Sequence, residues 1–223
     1  MIAFDNEANI YDDWYLTKLG SLVDQVQKNL VMELLNPKQG ELILDLGCGT
    51  GNYSIPLTEV GCKVIGVDHS PNMLNVAKEK TKAIGLDIEY HLSEADKLDF
   101  PDNHFDAVVS VTAFEFIKDI EKVFSELMRV VKPSGRIILG TINAHGDWGK
   151  LYMSDYFQKE TVFKYATLLS KNDLQSLSPN NFIELKESLF FEPDTDEENL
   201  NINYENSLAD KKEGSFICAK WIK

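Results

Sequence analysis

With 223 residues, 43% of them hydrophobic and 26% charged, the chain has the makeup of one medium globular domain able to bury its own core. Its 36 acidic against 22 basic residues leave a formal net charge of −14, which argues against a phosphate-neutralising nucleic-acid surface and against docking on anionic membranes. Cys48, Cys62 and Cys218 are too widely spaced for a disulfide framework or a zinc site, and no Cys, His or acid cluster has metal-ligand spacing.

The opening stretch MIAFDNEANIYDDWY carries acids and no apolar core region, unlike a signal peptide, and no run reaches the length of a membrane span. A reducing, cytoplasmic setting is therefore expected. From Glu41 onward, short apolar runs alternate with helical patterns. ELILDL (41–46) reads as a buried strand, followed by the glycine-rich GCGTG and a helix through about Val60. CKVIGVD (62–68) is a second strand. A helix follows over 70–85, with Ser70 as its N-cap and Pro71 at its first position.

DIEYHL (87–92) and FDAVVSV (105–111) read as the third and fourth strands, and DIEKVFSELMRVV (119–131) as an amphipathic helix. Lys132-Pro133-Ser134-Gly135 breaks that helix, and RIILGTI (136–142) is a fifth strand. Such alternation implies βαβ units and a largely parallel sheet. The segment 143–178 is rich in aromatics and reads as helical. NFIELKESLFFEP (181–193) and SFICAKWIK (215–223) read as closing strands, joined by a polar linker expected to be a mobile loop.

The strongest chemical signal is Leu44-Asp45-Leu46-Gly47-Cys48-Gly49-Thr50-Gly51, between a strand and a helix. Gly47 and Gly49 permit a tight turn and close approach of a ligand, while the helix beyond offers N–H groups to a ligand carboxylate. A purely structural turn would look similar. Asp68 separates the two readings, because it ends the next strand about 20 residues on, where a carboxylate can grip ribose hydroxyls.

LDLGCGTG resembles motif I of class I S-adenosylmethionine-dependent methyltransferases, in particular the broad type 11 group. The resemblance continues through GVDHSPNML (66–74), LDFPDNHFDAVVS (98–110) and LMRVVKPSGRIIL (127–139), covering residues 40–142. It implies a Rossmann-like, doubly wound α/β sheet of five parallel strands plus two C-terminal ones, one antiparallel, with a small helical and aromatic cap. Residues 1–223 would form a single methyltransferase domain. Its parts would be an N-terminal helical lid (1–39), a cofactor-binding core (40–142), a cap and acceptor region (143–180) and closing strands (181–223).

The same resemblance implies site residues. Asp45, Gly47, Cys48 and Gly49 would sit against the methionine moiety, Asp68 would bond the ribose, and His69 and Met73 would flank the adenine. Glu94-Ala95 stands where relatives have Asp-Ala, so either Glu94 would accept from the adenine amino group or the Ala95 N–H would carry recognition of the adenine; the alternative for Glu94 is a solvated loop acid. Thr112 would line the methionine end. Glu115, between two Phe residues, reads either as a general base of raised pKa or as a first-turn helix acid pointing to water or pairing with a nearby lysine. His145 reads as a candidate base or as a loop-capping histidine.

Tyr11-Asp12-Asp13-Trp14-Tyr15-Leu16-Thr17 through Gly20 resembles an opening found in part of the group, where it covers the cofactor. Tyr11 and Tyr15 would then contact S-adenosyl-L-methionine, although aromatics so grouped also commonly pack into a core. The expected partner is a small-molecule methyl acceptor, with no nucleic acid or membrane, and the expected state a monomer or homodimer. Two rivals remain: an NAD-dependent oxidoreductase on the same fold, and a non-catalytic cofactor-binding module acting through a protein partner.

Overall fold

Alternate residues of the central strands feed two separate apolar layers, and that alternation dictates a sheet covered on both faces. On one face Ile43, Ala107, Val109, Ile138, Phe216 and Cys218 pack with Leu30, Val31, Leu34 and Leu35 of a long helix. On the other, Leu44, Val108, Ile137, Leu139, Ile217 and Trp221 pack with Val123, Phe124, Leu127 and Val130. The computed structural model describes residues 4, 5 and 7–223; residues 1–3 and 6 of the expected lid lie outside them.

In chain order, a 3-10 helix (Tyr11–Leu16) and α1 (Lys18–Leu35) precede β1 (Leu42–Leu46) and α2 (Ser54–Glu59). There follow β2 (Lys63–Asp68), α3 (Pro71–Ala83), β3 (Glu89–Leu92), β4 (Phe105–Val111) and a 3-10 helix (Phe114–Phe116). Next come α4 (Ile120–Val130), β5 (Val131–Ile142), α5 (Asp147–Tyr152), α6 (Asp155–Glu160), a 3-10 helix (Val162–Tyr165) and α7 (Lys171–Ser176). β6 (Phe182–Ser188), a 3-10 helix (Glu197–Asn199), α8 (Ile202–Leu208) and β7 (Phe216–Ile222) complete the chain.

The seven strands form one sheet in the order β3-β2-β1-β4-β5-β7-β6. The first five are mutually parallel, and β7 runs antiparallel to both β5 and β6. This is the Rossmann-like doubly wound sheet with five parallel and two closing strands. The strand order reverses at β1, and the carboxyl ends of β1, β2 and β4 converge there, where doubly wound sheets bind ligands. Among the described residues no helix is long and apolar enough to cross a membrane.

Local chemistry explains most boundaries. Ser70 accepts a hydrogen bond from the Met73 N–H (3.1 Å) and Pro71 opens α3, as its sequence demands. Asp119 caps α4 through the Lys122 N–H (3.0 Å). Two expectations need correction. Lys132-Pro133-Ser134-Gly135 ends α4 but does not delay β5, which starts at Val131 and absorbs the segment as an irregularity between the pairs Phe105–Val131 and Ala107–Arg136. Ser134 takes a left-handed φ of 64° there.

The polar linker after β6 is also not a structureless loop. It carries α8, whose Glu205 is buried and accepts the N–H groups of Leu189 (2.7 Å), Phe190 (2.8 Å) and Phe191 (3.2 Å). Leu200, Ile202, Tyr204 and Leu208 pack against the core layer of α1. Four apolar residues at these spacings are hidden in a segment whose overall composition is acidic, so composition alone misreads it.

Candidate active site

β1 ends at Leu46, and the chain then reverses with both the Gly47 N–H (2.7 Å) and the Cys48 N–H (3.0 Å) donating to the Val67 carbonyl of β2. Gly47 and Gly49 have φ of +70° and +52°, a region that L side chains seldom occupy. Their reasons differ. A Cβ on Gly47 would lie 2.4 Å from Ala113 Cβ, so that position is closed by packing between β1 and β4. A Cβ on Gly49 would meet no atom within 4 Å, so that position opens onto empty space. α2 starts only at Ser54, later than the glycine motif suggests, so the Gly49 N–H lies in the turn before the helix.

That N–H is held by Asp68. Its Oδ2 accepts from Gly49 (2.8 Å) and its Oδ1 from Ser70 (2.8 Å), so one buried carboxylate ties the ends of β1 and β2 into a single rim. Ionised oxygens retain further acceptor capacity for a ligand hydroxyl. Asp45, 2% exposed, accepts from Ser54 Oγ (2.6 Å). Burial, opposed by that hydrogen bond and reinforced by the nearby Asp68 charge, pushes its carboxyl up to about 7. Cys48 is buried beside both acids, which raises its thiol well above its ordinary value and leaves it unreactive.

A cavity of about 510 Å³ opens over this rim. Tyr11, Tyr15, Asp45, Gly47, Cys48, Gly49, Asp68, His69, Met73, Glu94, Ala95 and Thr112 all line it, so the tertiary structure brings together every residue the sequence suggested for a cofactor. Phe4, Asn52, Tyr53 and Ser93 line it too, and no motif had singled them out. A second cavity of about 330 Å³ adjoins the first and shares Phe4, Tyr11, Tyr15, Thr112 and Phe116 with it. Thr112, at this junction, holds a left-handed φ of 49° while its N–H donates to the Gly140 carbonyl (2.8 Å). Backbone strain of this kind concentrates at functional sites.

The two residues proposed as catalytic bases lie elsewhere. Glu115 is 1% exposed and lines neither cavity; its Oε1 accepts the Ile142 N–H (2.8 Å) and its Oε2 has no hydrogen-bond partner. Burial raises its pKa, but the carboxyl faces protein rather than the cavities. The lysine-paired alternative also fails, since the side chain is enclosed rather than at the surface. His145 is exposed, lines neither cavity, and has its N–H bound to Asn143 Oδ1 (3.1 Å) in the loop after β5.

The aromatic opening folds across both cavities. Asp12, which no motif marks as functional, anchors it: Oδ1 accepts from Thr50 Oγ1 (2.8 Å) and Asn52 Nδ2 (3.2 Å), and Oδ2 from Lys80 Nζ (2.7 Å). Asp5 adds a second clasp, accepting from Ser70 Oγ (2.5 Å) through Oδ1 and from Asn72 Nδ2 (3.0 Å) through its carbonyl. The spacing Trp14, Thr17, Gly20 now has a physical reason. Thr17 Oγ1 donates to the Trp14 carbonyl (2.7 Å) and accepts the Gly20 N–H (3.0 Å), and a Cβ on Gly20 would lie 2.1 Å from that carbonyl oxygen. The signal for Asp12 was present, as the acid between Tyr11 and Trp14, but its partners are 38 to 68 positions away.

Comparison with known proteins agrees with this geometry. A methyltransferase-domain family model, type 11, matches residues 44–139. Demethylmenaquinone methyltransferase of Thermus thermophilus is 37% identical over 136 residues, covering 59% of this chain and 61% of the relative. That of Paenarthrobacter aurescens is 30% identical over 171 residues, covering 76% and 63%. The chain thus spans less than two thirds of the length of either relative. A Thermotoga maritima S-adenosylmethionine-dependent methyltransferase, described as a possible histamine N-methyltransferase, superposes with a TM-score of 0.77 at 25% identity, covering 99% of this chain and 98% of that one. Motif order, sheet order and these likenesses converge in support of a class I S-adenosylmethionine-dependent methyltransferase.

Proposed function

We propose that the protein transfers the methyl group of S-adenosylmethionine to a small-molecule acceptor by in-line attack. The observation that carries this reading is the pair of adjoining cavities meeting at Tyr11, Tyr15, Thr112 and Phe116, one rimmed by the glycine turn and Asp68, the other apolar. The donor fits the first cavity on the chemistry of its walls. Gly49 leaves open the space a Cβ would fill, Asp68 offers acceptor capacity for the ribose hydroxyls, and Asp45 offers a buried carboxyl for a cationic group.

In this reading Asp45, Gly47, Cys48, Gly49 and Thr112 hold the methionine end, while His69, Met73, Glu94 and Ala95 surround the adenine. Bound S-adenosylmethionine supplies a methyl group already activated by its sulfonium, so the protein's task is alignment and exclusion of water. Residues 4, 5 and 7–17 act as the lid over both cavities, held by Asp5 and Asp12. Residues 143–180 wall the acceptor side through Trp148, Tyr152, Phe157, Val162 and Phe163.

Calorimetric titration with S-adenosylhomocysteine and with NAD tests the reading directly. The adenosyl ligand should bind at micromolar or better dissociation constants and NAD should not compete. NAD binding tighter than the adenosyl ligand would overturn it.

A further inference from the structure

The second cavity carries more information than its size. Nine of its seventeen described lining residues are aromatic and none of them is Lys, Arg or His; among them the single carboxylate is Glu7. Trp14, Tyr15, Phe116, Tyr152, Phe157 and Phe163 supply rings from three separate segments of the chain. Tyr152 and Phe163 stack at 4.0 Å with an interplanar angle of 8°, Phe157 lies edge-on to Tyr152 at 5.3 Å, and Phe116 stands 6.1 Å from Phe163. Trp14 meets Trp148 at 6.4 Å, which joins the N-terminal segment to the cap across the cavity.

Resting on the methyltransferase reading, we infer that the acceptor is a small neutral amine with an apolar body, methylated on nitrogen. Three properties of the cavity select it. An acceptor carrying carboxylate or phosphate would find no cation among the lining residues, and the protein's net charge of −14 repels anions further. A phenol or carbon acid needs a base to remove its proton, and no His or Lys is in place, Glu7 being the one carboxylate among the described lining residues. Glu115 and His145 are outside the cavity, and burial keeps the Tyr11, Tyr15 and Tyr152 hydroxyls protonated.

An amine needs no such base from the cavity wall, because its ammonium proton can pass to water before the amine is enclosed. Its nitrogen lone pair forms the new N–C bond as the C–S bond breaks, and the electron pair of that bond stays on sulfur. The positive charge passes from sulfonium to ammonium, so the total charge in the site is unchanged, and aromatic faces stabilise the cation formed. The secondary or tertiary ammonium product leaves as formed, the acceptor's own ammonium proton having gone to water before the attack.

The test uses the full chain with S-adenosylmethionine and four probes of similar shape: 2-phenylethylamine, N-methyl-2-phenylethylamine, 4-ethylphenol and 3-phenylpropionate. At least one amine should be methylated on nitrogen with kcat/KM about tenfold or more above the phenol and the carboxylate. Phe163→Leu should raise the amine KM about tenfold, while S-adenosylhomocysteine affinity, measured by calorimetry, stays within about twofold. Faster methylation of the phenol or the carboxylate overturns the inference, as does a chain that binds S-adenosylmethionine and methylates neither amine. A chain that fails to bind S-adenosylhomocysteine overturns the methyltransferase reading, and this one with it.

Discussion

Asp12 and Lys80, 68 positions apart, form a 2.7 Å ion pair that fastens the 3-10 helix of the N-terminal segment to α3. Asn52 Oδ1 accepts a second bond from the same Nζ (2.8 Å), so the pair also reaches the turn after motif I. Hydrogen bonding to Lys80, Thr50 and Asn52 outweighs partial burial and holds the Asp12 carboxyl below its ordinary pKa. Only part of the pair is shielded from water, which discounts its energy.

Asp12→Asn should therefore weaken S-adenosylhomocysteine binding by roughly fivefold to thirtyfold, corresponding to about 1–2 kcal/mol. The melting temperature without ligand should change little, because the 3-10 helix contributes no fully buried side chain to the core. Calorimetry beside differential scanning fluorimetry separates the two quantities. Unchanged affinity would remove the lid role from this segment.

Asp68→Ala deprives the Gly49 and Ser70 N–H groups of their acceptor as well as any ligand hydroxyl. Loss of a charged hydrogen-bond partner costs about 1.5–3 kcal/mol, so affinity should drop roughly tenfold to hundredfold. Unlike the Asp12 change, this one should also lower unliganded stability, because two N–H groups near the glycine turn are left without their partner. An affinity loss with full retention of melting temperature would show that water replaces the carboxylate there.

Asp45 makes unliganded stability depend on pH. Its folded pKa of about 7 lies above the ordinary carboxylate value, so the folded state binds the proton more tightly than the unfolded chain. That contribution is fully present at pH near 4 and lost as pH rises through 7. Wild-type melting temperature should consequently fall between pH 6 and pH 8 relative to Asp45→Asn, which keeps an acceptor for Ser54. Parallel pH profiles for the two proteins would mean that Asp45 titrates as an ordinary carboxylate.

Glu115→Gln should leave kcat and its pH profile within about threefold of wild type, since the amide oxygen still accepts the Ile142 N–H and neither cavity is touched. Glu115→Leu should instead lose about 1–3 kcal/mol of stability by orphaning that N–H. His145→Ala should be kinetically silent. A fall in kcat of a hundredfold or more in Glu115→Gln, in a protein of normal stability, would restore a catalytic role to the carboxyl.

Periodicity and short motifs made the alternating strands, the Ser70-Pro71 helix start and the glycine turn legible in the sequence, because each depends on neighbours within a few positions. Asp68 was legible too, since the strand before it sets its distance from the turn. The position of Glu115 was not. An acid between two phenylalanines reads the same whether its carboxyl enters a cavity or meets the Ile142 N–H, and only the packing of β4 against β5 distinguishes these. Asp12 and Lys80 look like ordinary surface charges until the chain brings them together, as do the four apolar residues of 200–208 until α1 offers them a surface. Local sequence thus determined most of the elements and the motif residues on the rim of the first cavity. Contacts between residues far apart in the chain decided what covers it, what lines the second cavity, and which ionisable groups are kept away from both.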